Sequence, residues 1–502
     1  MSITDTPVPA TEPPEPEPSD ASASVSSDKP APDTPSPPTT ARAALSAMAM
    51  RLHFYAGVFV APFVLIAAIT GALYAISPTV ESIVDRGLLH VDSTGPARPL
   101  SEQIAAAVAQ QPGLALNAVA PAQDAGDTTR VIFSDPALGE SERRAVFIDP
   151  ATARPVGTSV VYGSSGALPT RTWIDLLHRD LHLGQTGRLY SEMAASWLWV
   201  IALAGLVVWI RRVRTRRERR SPAWLAWPDR SRAGRTRTVN WHASVGFWIL
   251  VPLLFLSATG MTWSTYAGAH IEELRAEFSW TKPAVSAALP GAAEPAGPTG
   301  EHAEHGSGHA MGAPVPADKA AQVDKVYAVA RGHGLEGPLE ISIPAADGTA
   351  FVAQERRLSG VYTQDAVAVD GRTGDVTDVL RYGDWPLLAK LANWGIQLHM
   401  GMLFGLANQL LLLATMIGLI TVIARGYLMW WRRRPTRTGG RFAVGRPPRR
   451  GTLRRAPLIL LVTVPAVAVA IGWFAPLLGF SLLAFVAVDV VVGLIQRRRT
   501  VS

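Results

Sequence analysis

Apolar residues in this 502-residue chain gather into six blocks, roughly 52–76, 191–211, 243–266, 404–431, 457–474 and 476–495. Each is near the length a helix needs to cross a hydrocarbon core of about 30 Å. Lipid offers no partners to an open backbone, so separate spans of this kind must be helices. Between the first two blocks, and again between the third and fourth, the pattern changes. Leu100-Ser101-Glu102 opens an amphipathic helix to about Gln111, and Val131-Ile132-Phe133 and Ala145-Val146-Phe147-Ile148 read as strands. Asp149-Pro150 followed by Pro155-Val156-Gly157 predicts a turn between two strands. The second segment repeats the plan, with a helix near 318–332, strands at Leu339–Ile343 and Ala366–Val369, and a turn over Asp370–Gly374.

The expected fold is therefore a polytopic α-helical membrane protein with two small α+β domains outside the bilayer. In order, the chain reads as a tail 1–45, a span within 46–78, a first α+β segment 79–190 and a span 191–213. A loop 214–240, a span 241–266, a second α+β segment 267–402 and a span 403–432 follow. A loop 433–456, two further spans within 457–496 and a tail 497–502 complete it.

Charge orients these spans. Residues 211–237 carry eleven Arg and no Lys, residues 432–455 carry ten Arg, and Arg497 to Arg499 follow the last block. The segments 77–190 and 267–400 hold more acids than bases. The positive-inside rule then places the arginine loops and both termini in the cytoplasm and the two long segments outside it. The localisation expected is a bacterial inner membrane. The net charge of +7 reflects this orientation. The basic runs lack aromatic interleaving or a nucleic-acid motif, so no nucleic-acid partner is expected. The first 42 residues, rich in Pro, Ser, Thr, Ala and acid, read as a disordered tail unlike a cleavable signal peptide, with the first span as anchor.

No cysteine occurs, which excludes Cys-ligated clusters, Cys-ligated zinc and thiol catalysis. Histidine is more informative. Leu52-His53, Gly57 and Thr70-Gly71 recur 189 residues later as Trp241-His242, Gly246 and Thr259-Gly260. Trp173, His178, Gly184 and Gly205 recur at an offset of 221 as Trp394, His399, Gly405 and Gly426. The repeat unit is span, outer segment, span, and two such parallel units imply an axis along the membrane normal. His53 and His242 then share the cytoplasmic depth, and His178 and His399 the outer depth. Neutral imidazole is a common ligand of transition metals and of haem iron, and facing helices can hold a cofactor between them.

His182 lies four residues after His178, so both share a helical face, and it stands as the substitute ligand for the outer pair; its repeat counterpart is Leu403. Arg179 and Arg188 are placed to pair with a haem propionate, and Met400 and Met402 flank His399. His302, His305 and His309 lie in a Gly/Ala/Pro linker and suit weak metal capture. The last two spans have no repeat partner and read as a packing accessory; Asp489 within them is a carboxylate at membrane depth or reaching the interface. Tryptophans at span ends form an interfacial belt, although Trp197, Trp199 and Trp248 fall inside spans. Neither outer segment shows a catalytic triad, phosphate loop or dinucleotide fingerprint, and no catalytic side chain is assigned.

The words Leu52-His53…Gly57…Thr70-Gly71-Ala72-Leu73, Leu177-His178-Arg179…Leu183-Gly184…Gly187-Arg188, Trp241-His242…Gly246…Thr259-Gly260 and Leu398-His399-Met400-Gly401…Phe404-Gly405 resemble the PepSY-associated transmembrane family. This family includes siderophore-associated ferric reductases. The resemblance covers about residues 48–435, with PepSY-like segments around Phe147–Pro150 and Asp370-Gly371. It implies a four-helix haem-binding core from two parallel repeats, two b-type haems, and iron ligation by His53, His242, His178 and His399. The chain departs from the pattern at Phe54 and Ala243, where the family often carries Arg after the histidine.

The function expected is a dihaem transmembrane electron conduit, taking electrons from quinol or a separate reductase. It would reduce an acceptor outside the cytoplasm, a ferric siderophore or another metal complex, while contacting membrane lipid. The alternatives are a non-enzymatic PepSY-bearing sensor or accessory protein, and an accessory of copper or zinc uptake.

Overall fold

A computed structural model of the chain describes residues 40–139, 141–216, 226–228, 231, 233–292, 317–433 and 456–501. The tail 1–39, most of both arginine-rich loops, and His302, His305 and His309 lie outside the described residues.

The first span, expected as one helix over 52–76, is two. Helix α1 (Ala41–Phe59) stops at Val60 and α2 (Ala61–Val84) starts afresh with Pro62 in its first turn. Proline has no N–H to give, which suits a helix start and interrupts a continuous ladder. After α3 (Arg86–Leu89), α4 (Leu100–Gln110) and strands β1 (Ala115–Ala120), β2 (Thr129–Ser134), β3 (Glu142–Ile148) and β4 (Pro155–Tyr162) follow. Helix α5 (Pro169–Asp180) then leads to the long α6 (Gln185–Arg216).

The second unit opens with α7 (Gly234–Trp248) and α8 (Leu250–Met261), which meet at Ile249 with a bend of 57°. Ile249 lies 189 residues after Val60, so the break is part of the repeat. Helix α9 (Tyr266–Glu277), α10 (Ala317–Gly332), strands β5 (Leu339–Ser342), β6 (Phe351–Glu355), β7 (Ala366–Val369) and β8 (Val376–Leu380), α11 (Leu387–His399) and α12 (Gly405–Trp431) complete the unit. Helices α13 (Leu458–Phe474) and α14 (Pro476–Val501) form a hairpin.

Four helices, Ala61–Val84, Gln185–Thr215, Gly405–Trp431 and Pro476–Ile495, are each long and apolar enough to cross a membrane, and the bent α7–α8 pair makes a fifth span. The 17 residues of α13 reach roughly 25 Å at 1.5 Å per residue, the short end of what spans.

The outer segments depart from expectation. Instead of two small α+β domains there is one eight-stranded antiparallel sheet, in the order β4-β3-β2-β1-β5-β6-β7-β8. The halves join where Ala118 pairs with Ser342 and Val119 with Ile341. Equivalent strands meeting antiparallel at the centre are what a two-fold axis between the units produces. The join also covers two edges that would otherwise stay open to pairing. Strand β1, which makes it, is absent from the sequence reading because Ala115-Leu116-Asn117-Ala118 is poor in β-branched and aromatic residues.

Helices α4 and α10 cover one face of the sheet through Leu100, Ile104, Val323 and Val326 packed on Phe133, Ile341 and Phe351. Asp324 binds the two halves further, accepting the N–H groups of Leu100 (2.6 Å) and Ser101 (3.2 Å) at the start of α4. The opposite face carries Ile132, Phe147 and Leu168 against Leu88 and Leu89 of α3.

The C-terminal hairpin is tied to the bundle by specific contacts. Trp197 Nε1 donates to Ser481 Oγ at 2.8 Å, and the rings of Tyr55 and Phe485 are 5.0 Å apart. His270 Nδ1 lies 2.9 Å from the carbonyl of Phe474. Asp489 is not a lone carboxylate: Arg51 of α1 pairs with it at 2.6 Å. The two charges meet two residues before His53 and bind the hairpin to the first unit.

Candidate functional site

Four histidines are presented in one way by two kinds of partner. His178, in the last turn of α5, has Nδ1 2.9 Å from Thr70 Oγ1 on α2. His399, the last residue of α11, has Nδ1 2.7 Å from Thr259 Oγ1 on α8. A threonine hydroxyl carries one proton. Thr70 gives its proton to the carbonyls of Ile66 (3.0 Å) and Ala67 (3.2 Å), and Thr259 to that of Phe255 (2.8 Å). With the hydroxyl protons on those carbonyls, the hydroxyls accept from the imidazoles, which then carry their protons on Nδ1.

At the other end of the bundle, His53 Nδ1 lies 3.0 Å from the carbonyl of Ile201, and His242 Nδ1 2.9 Å from that of Val422. A carbonyl also only accepts. All four rings thus hold Nδ1 against a fixed partner, the arrangement that orients a metal-ligating histidine through its second nitrogen. The partners obey the repeat, with Thr70 and Thr259 separated by 189 residues and Ile201 and Val422 by 221.

The rings of His53 and His242 face each other with centroids 6.1 Å apart and planes at 77°. Imidazole nitrogens bind metals at about 2 Å, so two rings at this spacing can share one ion between them. Tyr74 stacks on His178 at 5.7 Å, and Trp263 meets His399 edge-on at 5.2 Å. Glycines give the rings room. A Cβ on Gly71 would stand 3.1 Å from His178 Cε1, and one on Gly205 3.0 Å from His53 Cε1. Their counterparts Gly260 and Gly426 leave 3.7 and 3.8 Å to His399 and His242.

His178 and His399 both line a cavity of about 740 Å³, within the usual range for a cofactor or ligand site. Gly71, Gly260, Met400, Met402 and Met416 line it with them, and Arg171, Arg179 and Arg188 supply cationic walls. Arg179 donates to the Tyr162 hydroxyl at 2.6 Å and Arg188 to the carbonyl of Trp263 at 3.1 Å. Arg171 lies 3.8 Å from Glu81 and points a nitrogen at the sulfur of Met402 (3.2 Å). Burial pushes the Asp175 carboxyl above its ordinary range, against the pull of Arg179 and Arg171. Above this layer, burial and the neighbouring Arg356 bring the Arg130 guanidinium down to about 9.

His182 does not share the face of His178. Helix α5 ends at Asp180, and both Leu181 and His182 take left-handed backbone angles (φ 55°). The His182 ring is exposed and lies 5.0 Å from that of Trp173, outside the lining of the cavity. Around the inner pair stand arginines that the sequence reading missed when it looked only at positions 54 and 243. Arg425 stacks over Trp241 at 5.3 Å, Arg212 donates to the carbonyl of Val239, and Arg51 is held by Asp489. The available signal was Arg425 itself, a charge inside the fourth apolar block. Among the described residues, no group of three or more His, Asp or Glu is arranged to hold a metal ion.

A family model described as the PepSY-associated TM region matches residues 50–433, a stretch containing all four histidines and both halves of the sheet. No curated protein matches the chain.

Proposed function

The chain belongs to the family of the PepSY-associated TM region, and from that premise we propose that it is a dihaem transmembrane electron-transfer protein. The observation that carries this reading is the common presentation: four part-buried imidazoles each hold Nδ1 against a fixed partner, which leaves Nε2 for a ligand. His53 and His242 would hold one b-type haem, and His178 and His399 the other. The residues fit such a group. A glycine stands against each imidazole where a side chain would crowd it, and arginines stand at both levels to meet propionates. Haem, when bound, supplies a one-electron couple to a chain that has no cysteine redox chemistry of its own.

The remaining work falls to the protein. Thr70, Thr259, Ile201 and Val422 fix ring orientation and basicity through Nδ1. Trp197 and Leu253 fill space between the levels, and Ala68, Met416 and Leu419 of the same apolar cluster line the outer cavity. On α6, Ser191 hydrogen-bonds the His178 carbonyl and Ile201 accepts from His53, so the two levels lie about ten residues or roughly 15 Å apart. The arginine-rich loops orient the inner pair toward the cytoplasm of a bacterial inner membrane, with the sheet outside. Electrons come from quinol or a separate reductase, and the acceptor on the sheet side is a ferric siderophore or similar metal complex.

The test is a spectrum of the purified protein reduced with dithionite. Two b-type haems per chain are expected. Protein that is colourless and takes up no added haem overturns the reading and favours an accessory role for the sheet.

A further inference from the structure

The repeat breaks at one place near the outer pair. In the first unit α2 runs on to Val84, and Thr79 donates to Gln409 of α12 at 2.7 Å. Beyond it, α3 seats Leu88 and Leu89 under the sheet, close enough that a Cβ on Gly157 would stand 2.5 Å from Leu88 Cδ2. The counterparts of Thr79 and Gln409 in the repeat are Gly268 and Arg188.

Here the helix does not continue: α8 ends at Met261, and α9 restarts at Tyr266. Glu192, 2% exposed, holds the restart by accepting the N–H groups of Thr265, Tyr266 and Ala267 at 2.9–3.1 Å. Gly268, Glu272 and Arg275, spaced i, i+4 and i+7, then line the outer cavity from α9. Across from them stand Glu142 and the loop after β4 with Ser164 and Ser165. On α2, by contrast, the lining stops at Tyr74.

We propose that this gap between α9 and the β3 and β4 loops is the entrance through which a small water-soluble electron acceptor reaches the outer histidine pair. The inference rests on the dihaem reading for the acceptor's role. It rests on the broken repeat for the entrance's place. The imidazoles line the same cavity as these residues, so a folded protein stops at the rim while a small molecule enters. The walls of the gap are serine, glutamate and arginine, which suits a hydrophilic complex and disfavours a lipid-soluble quinone.

The chain has no cysteine, so single cysteines report cleanly. Ser164→Cys lies in the proposed entrance. Gly383→Cys lies on the corresponding loop of the second unit, exposed and with open space around a Cβ. Both are made in the full chain and reacted with a polymer-bearing maleimide. Ferric citrate is the probe, each complex taking one electron from dithionite-reduced protein as Fe(III) becomes Fe(II). Labelled Ser164→Cys should keep its reduced spectrum and lose fast reoxidation, while labelled Gly383→Cys keeps both. Excess ferric citrate should slow labelling at 164 and leave 383 unchanged. Equal behaviour of the two sites in both measurements overturns the entrance while leaving dihaem binding intact. If the protein binds no haem, the labelling comparison still decides the entrance, and only the function reading falls.

Discussion

The two histidine pairs differ in what holds them. Main-chain carbonyls of Ile201 and Val422 fix the inner rings, and threonine hydroxyls on α2 and α8 fix the outer ones. The inner rings face each other directly at 6.1 Å, while the outer pair lines a cavity of about 740 Å³. A carbonyl acceptor is insensitive to side-chain change and moves only with its helix. A hydroxyl is a single replaceable group. The comparison therefore assigns rigidity to the inner site and adjustability, with access, to the outer one.

The strongest way to break the comparison is to remove ligands. His53→Ala and His242→Ala should each abolish the same haem signal, and His178→Ala and His399→Ala the other. Redox-titrated absorbance decides this, and four variants that all keep both signals would end the pairing scheme. Next in size, Thr70→Val and Thr259→Val should weaken haem retention at the outer site by about 10–100-fold, the usual cost of losing a partner behind a histidine ligand. Haem-loss kinetics with the inner signal as internal reference would show it, and an equal effect at both levels contradicts the assignment.

Glycines sharpen the contrast between units. Gly71→Ala and Gly205→Ala put a methyl about 3 Å from an imidazole carbon and should shift the spectrum of the adjacent haem. Gly260→Ala and Gly426→Ala, with 3.7 and 3.8 Å of room, should change little. Electron paramagnetic resonance of the ferric sites is sensitive to ring orientation, and the reverse ranking would contradict the geometry. The smallest effect is expected from Asp489→Asn, which loosens α14 from Arg51. A lower thermal midpoint with both spectra intact is the expected result; loss of the inner haem would mean that the ion pair positions His53.

Much of this site was legible in the chain. The doubled Leu/Trp-His and Thr-Gly words marked the four histidines, and the apolar blocks marked the helices that carry them. The purpose of Thr-Gly was not legible, because Thr70 meets His178 across 108 residues of intervening sequence. The left-handed turn at Leu181 and His182 likewise hid behind an i, i+4 spacing that presumed a continuing helix. Arg212 and Arg425 escaped because their nearness to the pair comes from α6 and α12, not from the helices bearing His53 and His242.

Sequence alone determined the membrane class, the parallel repeat, the absence of cysteine chemistry and the identity of the four histidines. These follow from local composition and from periodicity, which the chain carries residue by residue. Tertiary structure decided that the two outer segments share one sheet, that the Nδ1 atoms of His53, His178, His242 and His399 each meet a fixed partner, and that α9 breaks the symmetry beside the outer pair. Each of these depends on groups far apart in the chain meeting at a few ångströms, and a pattern read along one dimension does not contain those distances.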